Sequence, residues 1–235
     1  MRRIGLTLAA AGCCLSICAG VALAGGGIVN SGFEMNSFAN WQPKQEGDSG
    51  RFVVYKGTPT VDSFLTVPSP RGGISGPSLR KPRRGTYAAA SIQGGPGTRL
   101  LFRTLTLGEK RKLSFVFYAD NDSGAYSNPD PDTLHEDSVQ PIRGYPARTR
   151  GIPTGGNQQY RVDIMRPGAD PYSIDDGDVL KNLLASKAGD PAKQGWKRFR
   201  FNLSSLPAGK VKLRVADADE NGFLQVGFDD LRLKK

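Results

Sequence analysis

Two aspartates, Asp229 and Asp230, stand side by side inside the apolar run 224–233. Leu224, Val226 and Phe228 share one parity of an extended chain, whereas Leu231 and Leu233 share the other. The apolar set therefore changes face across the pair unless a bulge intervenes. Adjacent carboxylates are poor strand formers and costly to bury unpaired. An arginine or lysine partner would resolve them, and so would a cation such as Ca²⁺, which takes about 6–8 oxygen ligands. Upstream, Asp217, Asp219, Asn221 and Gly222 match the first half of a calcium loop, but its twelfth position falls on Phe228 where a bidentate Glu is needed. That stretch reads as an acidic hairpin turn.

Catalytic chemistry finds little to work with. The chain has one imidazole, His135, beside Glu136 in a segment rich in Pro and Asp. No His-Glu-x-x-His, Gly-x-Ser-x-Gly or phosphate-loop string occurs. A long loop is a poor place to pre-organise a base, and no pair of acids stands out as glycosidase carboxylates. The residues read as non-catalytic, with a hydrolase using the long insertion as the weakest of three alternatives.

Binding chemistry is better represented. Tyr126, Tyr145 and Tyr172 fall in loops, where their rings could stack on a sugar, whereas Trp41 and Trp196 adjoin strands and read as core. Arg198 and Arg200 alternate with Phe199 and Phe201, and Lys212 and Arg214 alternate with Val211, Leu213 and Val215. If those two strands pair across residues 206–209, four positive charges share one face and repel. An acidic neighbour from residues 120–137 would relieve them. Without it, the face suits an anionic partner such as an acidic polysaccharide or a phosphorylated glycan. Nucleic acid is disfavoured, because export makes it a rare partner and the basic face itself carries no aromatic ring for a base to stack on.

The elements that must carry these residues are mostly strands. Thirty Gly and 16 Pro in 235 residues would interrupt a bundle of long helices everywhere. Period-two alternation predicts strands over 51–55, 86–92, 100–107, 159–165, 197–203, 210–215 and 223–233, and another around Leu113, Phe115 and Phe117. Only 178–188 reads as helix, with Asp178 as its cap and Val179, Leu180, Leu183 and Leu184 on one face. The expected fold is all-β, an antiparallel β-sandwich with at most one short helix and one long loop insertion at 120–158.

The start of the chain predicts export. Arg2 and Arg3 precede an apolar stretch of small residues that ends Val21-Ala22-Leu23-Ala24. This is the pattern of a secretory signal peptide over 1–24, leaving a single domain at 25–235, secreted or periplasmic. Lipoprotein anchoring through Cys13 is the minor alternative. Cys13, Cys14 and Cys18 all lie in that leader, so the mature chain would hold no disulfide, zinc–thiolate site or cysteine nucleophile. A formal charge of +10 biases it towards anionic partners.

The two ends of the mature chain carry a resemblance. The start runs Ile28-Val29-Asn30-Ser31-Gly32-Phe33-Glu34 and reaches Trp41, and the end runs Val226-Gly227-Phe228-Asp229-Asp230-Leu231-Arg232-Leu233. This pairing resembles galactose-binding-like jelly rolls, especially carbohydrate-binding modules of the family 4 and 9 type. It also resembles secreted bacterial proteins of unassigned function that share the start and a strand like 157–163. The resemblance implies a jelly-roll sandwich, a carbohydrate ligand and a structural calcium held by Glu34 and Asp229, with Asp230 as the alternate ligand. The expected function is an extracellular, non-catalytic carbohydrate-binding module. A structural or surface-associated protein with no sugar site, its loop aromatics buried or mobile, is the alternative.

Overall fold

The computed structural model describes residues 28–47, 50–64, 78–93, 97–109, 111–122, 126, 134, 158–219 and 224–235. The leader at 1–24, His135 and most of the 120–158 insertion lie outside them. Among the described residues the strands are β1 (Gln42–Gly47), β2 (Arg51–Lys56), β3 (Tyr87–Ile92), β4 (Gly97–Leu107) and β5 (Lys112–Asn121). They continue with β6 (Gln159–Met165), β7 (Val179–Ala185), β8 (Lys193–Asn202), β9 (Gly209–Asp219) and β10 (Leu224–Lys234). One turn of 3₁₀ helix, Val61–Phe64, is the only helix described.

These strands form two five-stranded antiparallel sheets, ordered β1-β4-β9-β6-β7 and β2-β3-β10-β5-β8. Only β2–β3 and β6–β7 are neighbours both in sequence and in a sheet; every other connection crosses between layers. The result is an antiparallel β-sandwich, as the alternation predicted, with the jelly-roll architecture that the resemblance implied. Inward side chains of both sheets, among them Leu101, Phe115, Val162, Leu213, Val226 and Phe228, make the central core. The chain's beginning closes it. Phe33 packs on Trp41 at 5.0 Å between ring centroids and Trp41 on Phe228 at 5.5 Å. Leu231 N–H donates to Ser31 O at 3.0 Å, so the first described segment is fastened to the last strand.

Three sequence expectations are corrected. Residues 178–188 form no helix; Val179–Ala185 is the edge strand β7. Its pairing with β6 shifts register twice, which turns Val179 to the outer cluster and Leu183 to the central one. Those irregularities produce the apolar spacing that imitates a helix. Strand β1, whose residues are largely polar, was not read from the alternation. The third correction concerns β8 and β9. They do not pair: β8 edges one sheet beside β5, and β9 lies between β4 and β6 in the other. The four cations expected on one face are therefore divided between opposite layers.

The phase slip near the end of the chain is present. β10 shifts register against β5 between Asp229 and Arg232, and Asp230 adopts φ 50°. That left-handed conformation costs most residues energy, but Asp is among those that tolerate it. The bulge keeps Leu231 in the core, although its parity differs from that of Val226 and Phe228.

The interior also holds a titrating group. Asp217 and Arg99, opposite each other on β9 and β4, are both buried. Burial raises the Asp217 carboxyl to about 6, with Arg99 opposing the rise. An acid whose folded pKa exceeds its unfolded value binds more protons when folded, so stability falls as pH rises between the two. Asp217 thus costs stability progressively from about pH 4 to pH 6, by about 2–3 kcal/mol. The difference in urea stability between wild type and Asp217→Asn is expected to change over that window and to be flat above it. A constant difference from pH 4 to pH 8 would contradict this.

Candidate functional site

At one end of the second sheet, three neighbouring strands turn basic residues outward. β8 contributes Arg198 and Arg200, β5 contributes Lys112, and β10 contributes Arg232 and Lys234. The register sets Ser114 between Arg200 and Arg232, and Lys112 between Asn202 and Lys234. Arg84 enters from the segment before β3, and together they line a pocket of about 640 Å³. Seven of its lining residues are basic and none is acidic. Such crowding needs a counter-charge, and the bulged Asp230 supplies it.

Arg232 grips Asp230 with both arms, Nε to Oδ1 at 2.8 Å and Nη2 to Oδ2 at 3.0 Å. Arg198 donates from Nη2 to Oδ2, and Arg84 Nε lies 3.3 Å from that same oxygen. Burial works against the charged carboxyl, but Arg232 and Arg198 together hold it below its ordinary range. One carboxylate thus fixes three guanidinium groups at the mouth of the pocket, and positive charge remains in excess. Sequence alternation singled out Arg198 and Arg200 but missed Arg84, Lys112, Arg232 and Lys234. The outward parity of Arg232 and Lys234 was visible in β10. Nothing in the sequence linked them to Arg84.

The other half of the acidic doublet turns elsewhere. Asp229 is buried, and its carboxylate accepts from Asp230 N at 2.6 Å and from Arg84 N at 3.3 Å. Glu34 accepts from Thr86 N and Tyr87 N at 3.0–3.2 Å. Gly85, at φ 64°, lets it approach: a Cβ there would lie 2.1 Å from Glu34 Oε1. Burial raises Asp229 to about 7; its two backbone hydrogen bonds oppose the rise, while the charges of Asp230 and Glu34 add to it. Among the described residues no lysine or arginine side chain pairs with Asp229, so a cation between it and Glu34 fits the local charge. No group of three acids, histidines or cysteines that could hold a metal occurs among the described residues. Asp230 is engaged by its arginines and is corrected out of the expected ligand set.

The remaining expected ligand residues are not brought together. Arg214 lies beneath the 166–178 segment, wholly buried and paired with Asp163, whose Oδ2 is 2.6 Å from Nη2. It also donates to Pro171 O and Ser173 O at 2.7 Å. Lys212 sits half-buried on that opposite layer. Tyr126 is buried edge-on against Tyr160 at 5.5 Å, and Tyr172 is buried below Lys44, whose Nζ is 4.6 Å from the ring centre. Both rings cover apolar surface of the sandwich, so neither is presented to a ligand. Tyr145 lies outside the described residues. A second pocket, about 620 Å³, opens between edge strands β1 and β2, where Phe38, Phe52 and Phe64 meet Asn36 and Gln45.

The chain matches no family model. It also matches none of the curated proteins. Among solved structures it is similar to the carbohydrate-binding module TmCBM61 in complex with β-1,4-galactotriose, at 12% identity and TM-score 0.44, covering 88% of this chain and 97% of that one. A cleaved adhesin domain of Lys-gingipain from Porphyromonas gingivalis is similar at 15% identity and TM-score 0.41, covering 89% and 99%. A xylan-binding domain from Paenibacillus barcinonensis is similar at 9% identity and TM-score 0.36, covering 87% and 90%. These likenesses concern the sandwich architecture.

Proposed function

We propose that this chain is an extracellular, non-catalytic binding module whose ligand is an anionic carbohydrate, taken in the basic pocket of β5, β8 and β10. The observation that carries the reading is the pocket itself: seven basic lining residues, no acidic one, and three arginines held on one buried carboxylate. The carbohydrate class rests on the likeness of the two chain ends to carbohydrate-binding modules. Burial of Tyr126 and Tyr172 favours the second reading, a surface-associated protein without a sugar site. Attraction by charge needs no stacking platform, and Arg suits it because its planar donors stay charged.

The test is binding of the protein to a panel of acidic and neutral glycans across a salt series. Acidic glycans are expected to bind, more weakly as salt rises. Arg198→Ala combined with Arg200→Ala should weaken them at least about 10-fold, since each charge-assisted bond contributes about 1.5–3 kcal/mol. Binding of neutral glycans alone, unaffected by that double variant, would move the site elsewhere, with the groove of Phe38, Phe52 and Phe64 first in line. Absence of any glycan binding would leave the surface-protein reading in its place.

We also propose calcium at Glu34 and Asp229, where it would compensate a buried carboxylate and tie the first segment to β10. Calcium is expected to raise the melting temperature, EDTA to lower it, and Glu34→Gln to remove the response. A melt indifferent to both additives would sink the proposal.

A further inference from the structure

We infer that the basic pocket is built for a tetrahedral oxyanion, the sulfate or phosphate ester of an acidic polysaccharide, in preference to a sugar carboxylate. This rests on the reading of that pocket as the ligand site. The inference comes from how its donors are distributed. Arg232 spends one edge of its guanidinium on a two-toothed grip of Asp230. Arg198 and Arg84 each meet Asp230 through a single nitrogen, so most of their N–H groups remain for a ligand. Among the described residues no acid pairs with Arg200 or Lys112, which approach from β8 and β5.

The donors therefore arrive from several separate elements, whereas a fork made by one residue would present two parallel bonds. A planar carboxylate offers two oxygens in one plane, which one guanidinium satisfies. A sulfate or phosphate ester offers three oxygens pointing in three directions, and that arrangement matches donors from Arg84, Arg198 and Arg200. Asp230 would act as a positioning residue: its carboxylate aims the guanidinium groups and does not itself touch the ligand. Replacing an arginine by lysine keeps the charge but loses the planar donors, which separates geometry from simple attraction.

The experiment measures the affinity of the protein for dextran sulfate, a phosphorylated mannan and polygalacturonate of matched charge density at physiological salt. At least one ester polymer is expected to bind about 10-fold more tightly than polygalacturonate, and the stronger of the two identifies the ester. Arg198→Lys should cut that preference at least about threefold, weakening the ester polymers more than polygalacturonate. Asp230→Asn, if folded by its melting curve, should reduce the preference in the same way. Equal affinity for all three polymers would overturn the inference while leaving an anionic-carbohydrate module intact. Failure of every polymer to bind would overturn both. A preference that survives Arg198→Lys and Arg200→Lys together would also overturn it.

Discussion

Asp163→Ala is expected to destabilise the protein by about 3–5 kcal/mol, lowering the melting temperature on the order of 10 °C. Asp163 and Arg214 have fully buried side chains paired at 2.6 Å. Asp163 also accepts from Arg161 at 3.2 Å and from Asn182 at 2.7 Å, so one carboxylate joins β6, β7 and β9. Removing it strands the Arg214 charge in a dry site, where burial already presses its pKa downward. The loss is therefore dominated by the uncompensated cation. Replacing both partners by apolar residues, Asp163→Leu with Arg214→Met, should recover more than half of the loss. Urea unfolding of the two single variants and the double variant checks this. A loss below about 1 kcal/mol for Asp163→Ala would show that water reaches Arg214.

Gly227→Ala should cost about 3 kcal/mol although it adds one methyl group. Gly227 lies in β10, flanked by β3 and β5, opposite Tyr118. The Tyr118 ring lies against it: a Cβ at 227 would fall 1.9 Å from Cε1 and 2.3 Å from Cδ1. The ring has little freedom to yield. It is fully buried and meets Trp196 edge-on at 4.5 Å. Arg80 covers it at 5.8 Å while its guanidinium is held by Asp120 at 2.7 and 2.8 Å. In a Tyr118→Ala background the cost of Gly227→Ala should fall below about 1 kcal/mol, because the obstacle is gone. Equal cost in both backgrounds would place the penalty in the backbone instead.

The candidate site was legible only in part. Arg198 and Arg200 stood out because alternate residues of a strand face one way. Lys212 and Arg214 showed the same signal and were grouped with them, yet the fold sends β8 and β9 to opposite layers. Short-range periodicity says which residues share a face, but it carries no information on which strand lies alongside. Tyr126 and Tyr172 illustrate the same limit. Their loop positions were readable, whereas their burial depends on sheet surfaces formed by distant segments.

What the amino-acid order determined by itself was local: strand-forming alternation, helix-breaking Gly and Pro, and a bulge where the apolar face reverses at Asp229 and Asp230. Each follows from interactions between residues a few positions apart. Tertiary structure alone decided that 179–185 is a strand, because edge pairing with β6 outweighs the helical spacing of its leucines. It also decided that Asp230 serves three arginines while Asp229 faces Glu34. Arg232 is a neighbour in sequence, but Arg84 and Arg198 come from distant segments, and only the order of β3, β10, β5 and β8 within one sheet brings them to Asp230.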